Sequence, residues 1–141
     1  MKRFLILALT GLVFSLAYAQ TPGFGVYSGY PTYLGLQYQT MNLRFGAGLS
    51  LGGFGGDVAL ILAKSPLVGL GLDTSWYYGL GLGATAAAGG LDIYPHGLAG
   101  LEFRLPDPAL NLYAEGQLGA LVFTGGGFRP YFAGRLGVIL R

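Results

Sequence analysis

The stretch Ala109-Leu-Asn-Leu-Tyr-Ala-Glu-Gly-Gln-Leu-Gly-Ala-Leu-Val-Phe123 decides how the chain is read. Its even positions, Leu110, Leu112, Ala114, Gly116, Leu118, Ala120 and Val122, carry only apolar side chains or none. Its odd positions include Asn111, Tyr113, Glu115 and Gln117. A period of two puts the first set on one face of a β-strand and the second on the other. On a helix both sets would be scattered around the circumference, so the stretch is a strand with an apolar and a polar face.

The same period recurs on both sides of this stretch. From Arg129 to Arg141, Phe132, Leu136, Val138 and Leu140 alternate with Arg129, Tyr131 and Arg135. From Asp92 to Leu105, Ile93, Leu101 and Phe103 alternate with Tyr94, His96, Glu102 and Arg104. Leu72 to Ala84 sets Trp76, Tyr78, Leu80 and Leu82 against Asp73 and Tyr77. Gly56 to Ala63, Asn42 to Ser50 and Tyr33 to Gln39 follow suit, with Asp57 and Arg44 opposite the leucines and valines, and Gly23 to Gly29 can open the set. Gly, Pro and Asp contexts separate the segments, among them Tyr30-Pro31, Gly52-Gly53, Lys64-Ser65-Pro66, Ala88-Gly89-Gly90 and Gly125-Gly126-Gly127. Such residues suit tight reversals, and the pattern predicts about eight antiparallel strands.

Charge is scarce, at 10% of residues, and it is segregated. Arg44, Asp57, Asp73, Glu102, Arg104, Glu115, Arg129 and Arg135 all fall on the face opposite the leucines, together with His96 and Gln117. A chain that is 52% hydrophobic and rich in glycine is a poor helical membrane protein, because repeated glycine weakens any long apolar helix. A bilayer can also be crossed by a closed β-barrel, whose strands alternate lipid-facing and interior residues. An arginine or lysine facing lipid near the midplane costs about 2–4 kcal/mol. The segregation therefore predicts an all-β, antiparallel, up-and-down transmembrane barrel, with the ten polar residues named above as an interior cluster. An eight-stranded barrel is just wide enough for side chains to fill, so acidic and basic groups are expected to pair across it. Gly46, Gly48, Gly79, Gly81, Gly83, Gly119 and Ala59 fall on the same face with little bulk, which leaves room for a small apolar ligand.

The first residues combine Lys2 and Arg3, an apolar run from Phe4 to about Leu16, and Ala17-Tyr18-Ala19, the pattern of a cleaved secretory signal. The expected organisation is a signal peptide over residues 1–19 and a barrel domain over 20–141. Two of the eight basic residues belong to that leader, so the rest balance the six acidic ones and provide no basic patch for nucleic acid. There is no cysteine for a disulfide or a lipid anchor.

Catalysis is not expected. His96 is the only histidine, so a multi-histidine metal site is excluded, and no serine neighbours it in sequence. Glu102 and Glu115 suggest ion pairing with Arg104 and Arg135 more readily than acid–base work. The repeat Gly79-Leu-Gly-Leu-Gly83 keeps a strand period and no helix follows it, which separates it from a phosphate loop. No metal or cofactor is predicted.

With the alternation, the leader and the final run PYFAGRLGVILR, the chain resembles the small eight-stranded outer-membrane barrels of the OmpA, OmpX and OmpW types. The resemblance is one of pattern over residues 23–141. It implies export by the general secretory route to the bacterial outer membrane, with lipid and the barrel assembly machinery as partners. It also implies a non-enzymatic role in the cell envelope, or porin-like passage or binding of a small solute. In that family the last strand usually ends in an aromatic residue, whereas this chain ends Leu140-Arg141. A soluble, secreted lipocalin-like barrel is the remaining reading, and it would turn the leucine face inward.

Overall fold

In the computed structural model, residues 22–40, 42–106 and 109–141 are described. The predicted signal peptide lies outside them. The eight strands are β1 (Gly23–Gly29), β2 (Thr32–Thr40), β3 (Leu43–Ser50), β4 (Gly53–Leu67), β5 (Asp73–Ala87), β6 (Gly90–Leu105), β7 (Leu110–Phe123) and β8 (Phe128–Leu140). Each pairs antiparallel with the next, and β1 pairs with β8, so the sheet closes on itself and no edge strand remains. The predicted fold class, an all-β antiparallel up-and-down barrel, is what the chain adopts.

Closure comes with a stagger. The lateral path from Val26 runs through Leu36, Ala47, Gly56, Ala84, Ile93 and Val122 to Phe128. The β8 partner of Val26 is instead Val138, ten residues further along. A sheet that closes with such a shear must have strands tilted to the barrel axis, which brings side chains from opposite walls to a common level.

Face assignment follows the period of two. Phe24, Leu36, Leu118, Phe132 and Leu136 are each more than 60% exposed on the outside, while Arg44, Arg135, Tyr94 and Gln117 are almost wholly buried inside. The apolar side chains thus lie outward, the reverse of the arrangement a lipocalin-like barrel would need.

Two local features depart from the sequence expectation. The predicted turn at Lys64-Ser65-Pro66 lies within β4, and the reversal comes instead after Leu67. A bulge between Ile61 and Ala63 shifts the register, so that Tyr78 faces Ala63 and Tyr77 faces Lys64. β3 has already ended there, leaving that edge of β4 without a lateral partner, a position where the missing N–H of Pro66 forfeits no ladder bond. The actual turn uses Gly69 and Gly71, both at positive φ.

Candidate functional site

The barrel interior is crossed by two ion pairs. Arg44 on β3 and Glu115 on β7 are four strands apart in a ring of eight, hence on opposite walls, and they meet at 2.7 Å. Asp57 on β4 and Arg135 on β8 are likewise opposite and meet at 2.6 Å. Arg135 gives Asp57 a second bond at 3.2 Å, and Arg44 reaches both oxygens of Glu115. The Arg135–Asp57 contact, two nitrogens to two oxygens, fixes the planes of both groups as well as their separation, whereas Arg44 reaches Glu115 through Nη2 alone.

Tyrosine hydroxyls and one amide add further bonds to the carboxylates. Tyr77 Oη donates to Glu115 at 2.8 Å, and Gln117 Nε2 donates to the same carboxylate at 2.8 Å. Tyr27 Oη donates to Asp57, and Tyr113 Oη donates to Gln37 at 2.6 Å. The Arg135 guanidinium also lies 3.5 Å from the centre of the Tyr27 ring, close enough for an attractive cation–π contact. Charges removed from water need this many partners, because a buried ion with an unfilled shell costs several kcal/mol.

The inward glycines make room for these rings. Tyr27 lies opposite Gly35, Tyr77 opposite Gly100, Tyr113 opposite Gly137 and His96 opposite Gly81. A Cβ at any of the four glycines would fall 2.3–2.6 Å from the facing side chain. Gly46 does the same for the charge network, since its Cβ would stand 2.4 Å from an Asp57 oxygen. Of the small inward residues read as room for a ligand, Gly46 and Gly81 have that space taken up by side chains, Asp57 and His96, from neighbouring strands. A small, partly open space beside Arg44, Lys64 and Glu102 measures about 10 Å³, the size of one water.

At the barrel end bearing Gly23 and Arg141, Glu102 is the centre of a second network. Lys64 approaches it at 2.8 Å and Arg141 at 3.6 Å, and Asn111 Nδ2 donates to it. Lys64 was missed in the sequence because the bulge in β4 changes its face. At the other end the β1–β2 turn leans in. Tyr30 packs edge-on against Tyr94, with ring centres 5.0 Å apart, and against Tyr131 at 5.1 Å, while Thr85 donates to its hydroxyl. Burial pushes the Tyr30 hydroxyl above its ordinary range.

Of the ten polar residues read from the sequence, Arg44, Asp57, His96, Glu102, Glu115, Gln117 and Arg135 are buried. Asp73, Arg104 and Arg129 are exposed at strand ends, where the interior opens. Asp73 and Arg104 are register partners, and Arg129 lies over the Phe123 and Tyr131 rings. The expected pairing of Glu102 and Glu115 with Arg104 and Arg135 is replaced by Glu102 with Lys64 and Glu115 with Arg44. His96 stacks on Tyr94 at 4.5 Å and its Nδ1 donates to the Tyr94 carbonyl. Among the described residues, no group of three or more His, Cys, Asp or Glu is arranged to hold a metal.

No family model matches the chain, and no curated protein or solved structure is significantly similar to it.

Proposed function

We propose that this protein is an integral outer-membrane barrel with a structural role in the cell envelope, non-enzymatic, its interior closed by paired charges. One observation carries the reading. The barrel is inverted relative to a soluble protein, with an exposed apolar outer wall and a buried interior of arginines, carboxylates, glutamines and tyrosines. Soluble monomers rarely expose contiguous apolar patches above a few hundred Å². In a bilayer the same surface is the solvated one.

Outward aromatics support the reading. Phe24 and Tyr38 pack together at 4.7 Å near the Arg141 end, where Trp76 and Tyr78 stack at 5.7 Å. Phe54, Phe128 and Phe132 lie towards the opposite end. Two aromatic belts flanking an aliphatic middle are expected where a barrel meets the two water interfaces. Export through the general secretory route and insertion by the barrel assembly machinery follow from this reading.

The deciding experiment is the electrophoretic mobility of the chain refolded in detergent, with and without boiling. A shift on boiling is expected of a closed barrel that resists the denaturing detergent. No shift, together with solubility in detergent-free buffer, would refute the membrane reading. In planar bilayers the folded protein is expected to be electrically silent, and steady discrete openings would refute closure by the charge pairs.

A further inference from the structure

Strand length divides the barrel into two walls. β1, β2 and β3 have 7, 9 and 8 residues, whereas β4, β5, β6 and β7 have 15, 15, 16 and 14. At about 3.3 Å per residue and a tilt of roughly 40°, the short wall stands about 18–23 Å high and the tall wall about 35–40 Å. The apolar band of an outer-membrane barrel is about 25 Å.

Both walls are apolar along their outer faces. On β6 the outward set runs from Leu91 to Leu105 without one charged or amide side chain. On β2 and β3 the outward set is confined between Leu34 and Leu49 at one end and Tyr38 and Leu43 at the other. Tilting a rigid barrel raises one wall and lowers the other but leaves both heights unchanged. A partner protein seated on the tall wall would need a polar rim to meet its own, and β6 offers none. Hydrocarbon is the covering that fits.

We infer that the protein holds the bilayer at unequal thickness around its circumference, thinned along β1–β3 and thick along β5–β7. The short wall is a surface for compressed or short-chain lipid. Lipid yields to such mismatch because deforming the bilayer by each ångström costs little. The inference rests on the membrane reading above.

The chain has no cysteine, so single introduced cysteines can carry a nitroxide without background. Labels at Leu34→Cys and Leu43→Cys mark the two ends of the short wall and Leu91→Cys and Leu105→Cys those of the tall wall, while Leu36→Cys, midway on the short wall, is the lipid-facing reference. In vesicles of phosphatidylcholine and phosphatidylglycerol, relaxation by oxygen reports hydrocarbon and relaxation by a nickel chelate reports water. All four rim labels are expected at the boundary, accessible to both. A bilayer of uniform thickness would leave the β6 labels accessible to nickel alone or the Leu34 and Leu43 labels to oxygen alone, and either result overturns the inference. Shielding of the β6 labels from both reagents would assign that wall to a protein neighbour and also overturn it. If the Leu36 label sees nickel alone and boiling produces no mobility shift, the membrane reading itself has failed.

Discussion

Arg44 and Glu115 meet at 2.7 Å across the full width of the barrel, from strands on opposite walls, with their side chains 2% and 0% exposed. The contact ties β3 to β7 without passing through the sheet between them. Removing one member leaves its partner charged, buried and unpaired, which costs about 3–5 kcal/mol. Glu115→Ala and Arg44→Ala are each expected to lower the unfolding free energy of the barrel, from urea titration in micelles, by an amount of that order. A double replacement by apolar residues of similar volume should recover much of the loss. Additive losses in the double variant would mean that the two groups do not interact.

Lys64 provides the contrast. Its ammonium is 2.8 Å from Glu102 but partly exposed, and Glu102 retains Arg141 and Asn111 without it. Lys64→Met is expected to cost no more than about 1 kcal/mol in the same urea titration, within the range of solvent-screened pairs. A loss as large as that for Arg44 would show that the network at this end depends on the lysine.

Gly46→Ala tests the packing of the interior. The added methyl would stand 2.4 Å from Asp57 Oδ1 and 2.8 Å from both the Arg135 guanidinium and the Tyr27 hydroxyl, groups already held by one another. Overpacking of this kind costs about 1–3 kcal/mol. Gly134→Ala is the control, because a Cβ there meets nothing within 4 Å. It is expected to be neutral or stabilising by up to about 1 kcal/mol through the unfolded chain. Equal destabilisation by the two variants would contradict the described interior.

On the outer wall, Leu136 is 64% exposed and lies between Ser28 and Ala114 at mid-barrel. Leu136→Arg is expected to destabilise the barrel in vesicles by about 2–4 kcal/mol. In a soluble barrel the same change would add a solvated charge at almost no cost. Reversible urea titration in vesicles separates the two.

Much of this was written in the one-dimensional pattern. The period of two from Ala109 to Phe123 is enough to make a strand and to separate Leu112 from Glu115, because successive side chains on a strand must point to opposite faces. The turns near Tyr30-Pro31, Gly52, Gly89-Gly90 and Gly125-Gly126-Gly127 lie close to where glycine and proline predict them, for equally local reasons. The burial of Arg44, Asp57, Glu102, Glu115 and Arg135 was legible too, since each lies opposite an apolar set.

Only the tertiary structure decided which charges meet. Pairing across a barrel depends on the register of every strand between the partners, and on a total stagger that no single strand encodes. That is why Glu115 finds Arg44 and not its cross-strand neighbour Arg135, which is drawn instead to Asp57. A single extra residue near Ile61 turned Lys64 inward, where the period of the sequence ended the strand. Asp73, Arg104 and Arg129 share the face of the buried charges but lie at strand ends, where the same alternation opens onto solvent. Alternation is a property of neighbours along the chain and can be read from it; register, closure and strand ends belong to the whole sheet.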